Sequence, residues 1–361
     1  MINLNRTIHH LLKTLLILFV FMFSNCKKDE ILKTEIKKEE WKPISRELIY
    51  WGDRNIIASY SNKNNISFLT PYVNYVLDND SVQNRAEGYN VPGFYKLGQY
   101  IAWGNNYRVW RNFDNSQILI ADNFLDGASN FSSSYFLPYN DLEIQNFTAP
   151  DSNSNWYIAI SAGKEYLGDS SSVYLNKYNL TSGQKAQLNF KWSKLIYPKN
   201  LYSGWGITSL NAINEFVYMS GYGSTYRILD GLITDTLPFN LIKIVSISDV
   251  LYANCARRTY LNPFKEYPEG LLKSVDNGKT WNYIGTGGSF QSGQLISIDD
   301  KIFLYSGDWI IYCDLQNNVI RTMDILGING KIRTVNKFKN RIYVGTDAGV
   351  YSKTYKAFME E

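Results

Sequence analysis

The sequence predicts an all-β protein, and three observations lead to that prediction. Tyr, Phe and Trp together make up 15% of the 361 residues, and aromatic side chains suit the pleated, half-buried surface of a sheet. Short aromatic or β-branched runs that end in Gly or Asn recur along the chain. Outside the N-terminal segment, Gly, Asn and Ser interrupt nearly every longer window, so the apolar residues do not follow the period of a long helix.

A unit of one strand and one turn occurs seven times, and its spacing indicates the architecture. The units are 49–52, 100–104, 157–163, 217–221, 251–254, 303–307 and 342–345. Their mean spacing is about 49 residues, and an all-β repeat of roughly 40 to 50 residues is typical of propeller blades. The sequence therefore predicts a β-propeller of seven four-stranded antiparallel blades. Because the spacing is irregular, six and eight blades are kept as alternatives.

The two ends of the chain are expected to meet in the last blade. The chain stops soon after Ser352, about one strand short of a full blade. A strand taken from residues 41–51, which include Ile44, Leu48 and Ile49, would complete the blade by pairing with residues 350–353. This pairing would remove sheet edges that otherwise template aggregation.

The first residues have the pattern of an export signal. Arg6 and Lys13 come before an unbroken apolar run from Leu15 to Phe23. A helix over this run would rise only about 14 Å, whereas the hydrocarbon core of a bilayer is ~30 Å thick. A positive start followed by a short apolar run is typical of a signal peptide.

The end of this run predicts a lipid anchor. Phe23-Ser24-Asn25-Cys26 resembles the lipobox of bacterial lipoproteins. The resemblance implies a signal peptide at residues 1–25, removed on maturation, and a diacylglycerol thioether on Cys26. The charged stretch 27–40 has few apolar residues and cannot bury enough surface to fold. We therefore expect residues 26–45 to form a lipidated flexible tether and residues 46–361 to form the propeller.

The lysine and acidic run directly after Cys26 indicates where the protein is anchored. It resembles the surface-export signals of lipoproteins in some Gram-negative lineages. We expect an outer-membrane protein that faces the cell exterior, with the periplasmic face as second choice. The membrane is thus the first expected partner, since each buried CH₂ of an acyl chain contributes about 0.8 kcal/mol. An ordinary secretion signal with an incidental cysteine is the alternative.

One turn carries a specific motif. Residues 274–281 read SVDNGKTW, which resembles the Asp-box, S-x-D-x-G-x-T-W, of a propeller superfamily that includes sialidases, sortilin-like receptors and photosystem-assembly factors. The defining residues are Ser274, Asp276, Gly278, Thr280 and Trp281. Asp276 is expected to accept hydrogen bonds from turn amides, Gly278 to adopt a positive φ, and Trp281 to pack back between strands. The resemblance implies a structural role for this turn.

The composition excludes several kinds of chemistry. His9 and His10 are the only histidines, and both lie in the expected signal peptide. The mature chain would then lack Ser-His-Asp and Cys-His catalysis and histidine-bound metals. No EF-type calcium loop or CxxC spacing occurs in the sequence, so we expect no metal and no cofactor. The net charge of +4 includes no basic tract, so nucleic acid is not an expected partner.

A few residues are candidates for ligand contacts. Arg227, in Tyr226-Arg227-Ile228-Leu229, resembles the arginine of a sialidase motif that has proline where this chain has Leu229; a surface or cross-strand arginine is the simpler interpretation. Exposed aromatic rings stack on sugars and form protein hot spots. The tryptophan candidates are Trp103, Trp156, Trp205 and Trp309.

These observations favour a binding or scaffold module, with a monomeric body, no catalytic residues, and a protein or glycan ligand on a propeller face. The alternative is a glycan-active enzyme, either a sialidase-like glycoside hydrolase or a polysaccharide lyase. Such an enzyme would bring two carboxylates within roughly 5–10 Å in one pocket, or gather an arginine cluster. Cys255 and Cys313 are interpreted as buried thiols, and their pairing in a disulfide stays open because it depends on proximity.

Overall fold

The computed structural model describes a large part of the chain, and residues Glu40–Glu361 form one compact unit. The described residues are 39–44, 55–56, 58–61, 65–70, 74–78, 81–85, 101–103, 107–112, 117–122, 131–136, 144–147, 155–161, 173–181, 187–196, 209–221, 224–256, 270–286, 293–315, 317 and 319–360. Nearly all of them belong to antiparallel strands. Within these ranges, no helix has both the length and the apolar character to cross a bilayer.

The described strands pair into seven four-stranded sheets. The first of the described strands is β1 (Lys42–Pro43), which belongs to sheet 7. Sheet 1 consists of β2 (Ala58–Ser61), β3 (Asn65–Leu69), β4 (Asn74–Asp78) and β5 (Ser81–Arg85). Sheet 2 consists of β6 (Ile101–Trp103), β7 (Tyr107–Asn112), β8 (Gln117–Asp122) and β9 (Phe131–Phe136). Sheet 3 consists of β10 (Ile144–Phe147), β11 (Asn155–Ser161), β12 (Val173–Thr181) and β13 (Gln187–Ile196).

The remaining strands follow the same order. Sheet 4 consists of β14 (Ser209–Ile213), β15 (Phe216–Gly221), β16 (Ser224–Leu229) and β17 (Leu232–Leu237). Sheet 5 consists of β18 (Asn240–Ile247), β19 (Val250–Ala256), β20 (Gly270–Ser274) and β21 (Asn282–Thr286). Sheet 6 consists of β22 (Gln294–Ile298), β23 (Lys301–Ser306), β24 (Trp309–Asp314) and β25 (Val319–Thr322). Sheet 7 consists of β26 (Ile332–Phe338), β27 (Arg341–Thr346), β28 (Gly349–Thr354) and β1.

The order of pairing makes the fold a β-propeller, as the sequence predicted. In sheets 1 to 6 the strands pair in chain order, so each sheet is a meander. The first strands of successive sheets adjoin, because β14 contacts β18 and β18 contacts β22. The turns from first to second and from third to fourth strands lie at one end of the sheets, here called the turn face. Radial repetition of such sheets is the propeller architecture; the number of blades in the whole ring stays a prediction.

The repeated unit of the sequence marks second strands. Five of the seven units fall in β11, β15, β19, β23 and β27. Second strands are covered on both faces, as in β15, where every residue is buried, and such strands have continuous apolar sequences. The unit at 100–104 overlaps a first strand, β6, which is one cause of the irregular spacing. The unit at 49–52 lies outside the described residues.

The two ends of the chain meet in sheet 7, as predicted. β1 pairs with β28, so that Lys42 lies opposite Ser352, and the backbone N–H of Ile44 donates to Val350 O at 2.9 Å. The propeller therefore begins before residue 46, because Trp41 is only 4% exposed and its indole N–H donates to Asp324 O at 2.8 Å. Residues 41–44, which the sequence assigned both to the closing strand and to the end of the tether, belong to the sheet, while Leu48 and Ile49 lie outside the described residues.

A short helix, α1 (Tyr355–Met359), follows β28 and was not predicted. Thr354 caps its first turn by accepting the Ala357 N–H at 3.4 Å. Phe358 is fully buried, with ring centroids 5.9 Å from Trp41 and 5.6 Å from Phe303. The helix thus packs against both sheets 6 and 7. Five residues are too few to show helical periodicity in a sequence.

Both cysteines of the body are buried thiols, which confirms their interpretation from sequence. Cys255 lies in the apolar cluster of sheets 4 and 5, and Cys313 lies in that of sheets 5 and 6. Burial raises the pKa of the Cys313 thiol to about 12. A thiol that stays protonated is a poor nucleophile and a poor metal ligand.

Candidate functional site

The first strands of the propeller enclose a cavity of about 760 Å³ that opens at the turn face, here called the channel mouth. Its walls come from β2, β14, β18, β22 and β26 and the turns that follow them. Asn214, Asp299 and Lys339 lie in three of these turns. Each has a positive φ, 57°, 48° and 52° respectively, as tight turns between neighbouring strands require.

Three lysines line the channel mouth, and they are the cationic groups of its described wall. Lys243 comes from β18, Lys337 from β26, and Lys339 from the turn after β26. Lys337 forms an ion pair with Asp299 and lies 4.6 Å from the ring centroid of Tyr355. Asp299 is the one carboxylate among the described residues that line this cavity. The described wall is therefore positively charged.

Lys243 differs from the other two lysines in its surroundings. Lys243 lines the cavity and has exposed surface, yet the protein around it partly removes water from its charged group. This desolvation lowers the pKa of Lys243 because it disfavours the charged form. Among the described residues none forms an ion pair with Lys243. Its ammonium group can therefore pair with an anionic ligand.

The rest of the described wall is polar or aliphatic. Ser246 and Ser297 are exposed to the cavity, and Ile213, Val245 and Ile296 are half-buried beside them. No aromatic side chain lines the cavity among the described residues. The described wall thus offers hydroxyl groups, aliphatic surface and ammonium groups, and this part of the wall lacks the flat rings on which sugars stack.

A second feature of the turn face is the turn between β20 and β21. Asp276 Oδ1 accepts the Thr280 N–H at 2.9 Å, and its Oδ2 accepts the Thr280 hydroxyl at 2.6 Å. Ser274 Oγ donates to Asp276 Oδ1 and accepts the Gly278 N–H, both at 2.8 Å. The indole N–H of Trp281 donates to Gly278 O at 3.0 Å. In these bonds Asp276 accepts a turn amide and Trp281 folds back onto the turn, while membership of the Asp-box superfamily stays a prediction.

Sheet 4 holds the tip of this turn. Asn277 O accepts the Tyr218 hydroxyl at 2.6 Å and the Arg227 Nε–H at 2.8 Å. Asn277 Oδ1 accepts the Asn214 side-chain N–H at 3.1 Å. Tyr218 is completely buried, and burial raises its pKa to about 12. The turn therefore fastens sheet 5 to sheet 4, a contact that the motif alone did not predict.

Arg227, a candidate ligand contact, forms its hydrogen bonds within the protein. It is 8% exposed, and its Nη1 donates to Asp235 Oδ2 at 2.7 Å and to Thr234 Oγ1 at 3.2 Å. Its guanidinium carbon lies 3.5 Å from the ring centroid of Phe216. Arg227 is thus the cross-strand arginine of the simpler interpretation, because its donors are directed into the protein.

The tryptophan candidates are described to different extents. Trp309 is half-buried and packs on the apolar cluster of sheets 5 and 6. Trp103 and Trp156 lie in β6 and β11, and the positions of their side chains lie outside the description. Trp205 lies outside the described residues. Trp309 therefore contributes to packing, and it does not line the channel mouth.

Three features that would indicate a metal site or a glycan-active enzyme are not found in the described part of the chain: a metal-binding cluster, a pair of carboxylates in the channel mouth, and an arginine in its lining. No group of three or more His, Cys, Asp or Glu that could hold a metal is found there. The described lining of the channel mouth contains one carboxylate, whereas glycoside hydrolysis requires a pair. Arg227 does not face this cavity, and no arginine lines it among the described residues.

The lysines of the channel mouth were missed in the sequence because Lys243 and Lys337 are far apart in the chain and lie in no motif. One signal was present. Each lies on the strand before a recurring second-strand unit, 251–254 for Lys243 and 342–345 for Lys337. First strands line a propeller's channel, so a lysine shortly before such a unit is a candidate for the channel wall.

We expect replacement of Asp276 by Ala to cost about 1–3 kcal/mol of unfolding free energy, because it leaves turn donors without acceptors. Slight burial raises the pKa of Asp276, but hydrogen bonds from Thr280, Ser274 and Lys279 outweigh it and hold the pKa at about 2. A carboxyl whose pKa is lowered by folding stabilises the fold above its unfolded pKa of about 4 and loses that contribution as pH falls towards about 2.

Urea unfolding at neutral pH and along an acid series would measure both effects. Asp276→Ala should lack part of the wild-type loss of stability between about pH 4 and pH 2. The exposed Asp308→Ala is the matched control, with an expected change within about 0.5 kcal/mol. Equal effects of the two substitutions would show that the hydrogen bonds of Asp276 do not stabilise the turn.

Comparison with known proteins supports the fold. No family model matches the chain, and no curated protein matches it in sequence. The Pan2 WD40 domain of Neurospora crassa has a TM-score of 0.54 at 8% identity, over 88% of this chain and 96% of that domain. Virginiamycin B lyase from Staphylococcus aureus has a TM-score of 0.52 at 11% identity, over 83% of this chain and 94% of the lyase.

A third similar structure is the extracellular domain of the one-component system BT4673 from B. thetaiotaomicron. Its TM-score is 0.52 at 9% identity, over 87% of this chain. The match spans only 40% of that domain. At these identities the similarity shows a shared fold, the β-propeller, and nothing more specific.

Proposed function

We propose that this chain is a lipid-anchored binding or scaffold module, held at the outer membrane through Cys26 and facing the cell exterior. The observation that supports a binding role is the channel mouth. Its described wall carries lysines, hydroxyl groups and aliphatic surface, and its one carboxylate, Asp299, forms an ion pair with Lys337. Such a wall can hold a ligand, but it lacks a second carboxylate for general acid–base chemistry.

The alternative function, a glycan-active enzyme, has less support. Virginiamycin B lyase shares the fold, and a variant of that lyase with alanine in place of a histidine is catalytically inactive. In the present chain the only histidines are His9 and His10, inside the expected signal peptide. A reaction that uses an imidazole as proton carrier therefore has no candidate residue in the mature body.

A ligand panel separates the two functions. The full chain in detergent would be incubated with acidic and neutral oligosaccharides and with acidic and basic peptides. Binding would be measured by isothermal titration, and the ligand mass would be determined before and after incubation. A bound ligand of unchanged mass supports the proposal. A ligand that is cleaved by the wild type and left intact by Asp299→Asn would identify an enzyme instead.

Replacement of Cys26 by Ser should release the protein from the membrane or leave it unprocessed, because a serine cannot carry the thioether-linked lipid. Fractionation with detergent extraction and intact-mass measurement would check this. Lys28→Ser is the control, since it changes a neighbouring residue and keeps the cysteine. Tight membrane association of Cys26→Ser, with normal removal of residues 1–25, would contradict the lipid anchor.

A further inference from the structure

The lysines of the channel mouth come from two sheets of its described wall that are not neighbours. Lys243 lies on β18 of sheet 5, whereas Lys337 and Lys339 belong to sheet 7. Sheet 6 stands between them and contributes Asp299 and Ser297. A ligand in the cavity would therefore have cationic groups on two sides, which is the arrangement that holds an anion.

The charge of Lys243 is not balanced by a carboxylate of the described wall. Asp299 forms an ion pair with Lys337, so this carboxylate is already engaged by another lysine of the wall. The described residues offer no anion to Lys243, which lines the cavity. A concave surface of one sign concentrates the electrostatic field and raises the local concentration of oppositely charged ligands. The ligand class that fits this surface is anionic.

The uncharged residues of the described wall favour a peptide ligand over a sugar. Ile213, Val245 and Ile296 supply half-buried aliphatic surface, and Ser246 and Ser297 supply hydroxyl groups. No aromatic platform is present in the described lining, whereas aromatic stacking is the usual way to hold a sugar ring. Aliphatic surface next to cations suits a peptide in which acidic and aliphatic side chains alternate. The volume of about 760 Å³ is in the range of small-ligand sites, roughly 300–1,000 Å³.

We infer that the channel mouth binds a short acidic segment of a partner protein, with Lys243 and the Lys337–Lys339 side facing its carboxylates. This inference rests on the proposed binding function and names the ligand for it. The acidic side chains lie between the two groups of lysines, and the aliphatic side chains contact Val245 and Ile296. Hydroxyl groups of Ser246 and Ser297 are placed to meet the peptide backbone.

A direct binding assay would test this inference. The probe is a fluorescein-labelled peptide of alternating Glu and Leu, added to the full chain in detergent, with fluorescence anisotropy as the readout. Wild type should bind the probe, and Lys243→Glu should weaken binding at least about tenfold, because it places like charges together. The matched control is Lys191→Glu, an equal charge change at an exposed position on β13, which should leave the affinity within about twofold.

A second variant and a second probe distinguish loss of charge from loss of fold, and a peptide ligand from a sugar ligand. Lys243→Met removes the charge and keeps the length of the side chain; it should weaken binding while the melting temperature shows that the protein is folded. Oligogalacturonate offers the same carboxylate chemistry on a sugar backbone. Tighter binding of oligogalacturonate than of the peptide, lost in Lys243→Glu, would overturn the assignment to a protein partner.

The inference would also fail if Lys191→Glu weakened binding as much as Lys243→Glu, since the attraction would then be general. Absence of peptide binding by the wild type would overturn it too. Neither result decides the proposed binding function itself, because the ligand panel also tests oligosaccharides and basic peptides and the Cys26→Ser fractionation tests the anchor.

Discussion

Removal of residues 27–44 should leave the chain unable to form a stable, soluble propeller, whereas removal of residues 27–40 should be tolerated. The longer deletion takes away β1 and with it the pairing to β28, so the edge of sheet 7 is exposed to other chains. It also removes Trp41, a buried residue whose ring contacts Phe358. Loss of a buried aromatic side chain alone costs about 3–5 kcal/mol, a large part of the stability of a typical domain.

The two truncated chains would be compared by thermal unfolding and by size-exclusion chromatography. The deletion of 27–40 should keep the wild-type melting temperature and a single monomer peak. Trp41→Ala, which keeps β1, is expected to fold with a stability lower by about 3–5 kcal/mol. If the chain without 27–44 stayed monomeric and melted like the wild type, the closure of sheet 7 by β1 would contribute nothing to the fold.

Replacement of Gly278 by Ala should destabilise the protein by about 2–5 kcal/mol. Gly278 has φ +74°, and a side chain in this left-handed region costs about 1–2 kcal/mol. A Cβ at this position would lie 2.4 Å from Tyr218 Oη and 2.6 Å from its Cε1. Because Tyr218 is fully buried and donates to Asn277 O, it cannot move away freely, and overpacking adds about 1–3 kcal/mol.

Gly307→Ala is the control for this substitution. Its nearest contact for a Cβ is Lys331 Cδ at 3.8 Å, an ordinary distance, so the expected change is within about 0.5 kcal/mol. Urea unfolding of both variants measures the difference. Equal stability of Gly278→Ala and Gly307→Ala would show that the turn and sheet 4 separate easily, and that the contact between Asn277 and Tyr218 does not fasten the two sheets.

The propeller could be predicted from sequence because its second strands are buried on both faces. β15 and β27 are almost completely buried, so their residues had to be apolar and their ends had to turn. Sheet 1 shows where this reasoning fails. Its second strand, β3, reads NISFL and alternates polar with apolar residues, so it did not match the repeated unit.

Some residues of the candidate site could likewise be predicted from the sequence, and others only from the structure. The turn at 274–281 was predicted because its hydrogen bonds join residues within a few positions of each other, such as Asp276 and Thr280. Arg227 could be assigned only from the structure, since its partners include Asn277 in another sheet. The lysines of the channel mouth likewise depend on the order of the sheets around the channel.

The sequence by itself determined the all-β fold, its repeated strands and the hydrogen bonds of the turn at 274–281, because these depend on local patterns of polarity and on short-range contacts. Only the tertiary structure decided that the Trp41 side chain packs against Phe358, that α1 packs between sheets 6 and 7, and that Lys243 and Lys337 line the same cavity. These contacts join residues that are distant in the chain, and their free energy exists only once the sheets have assembled.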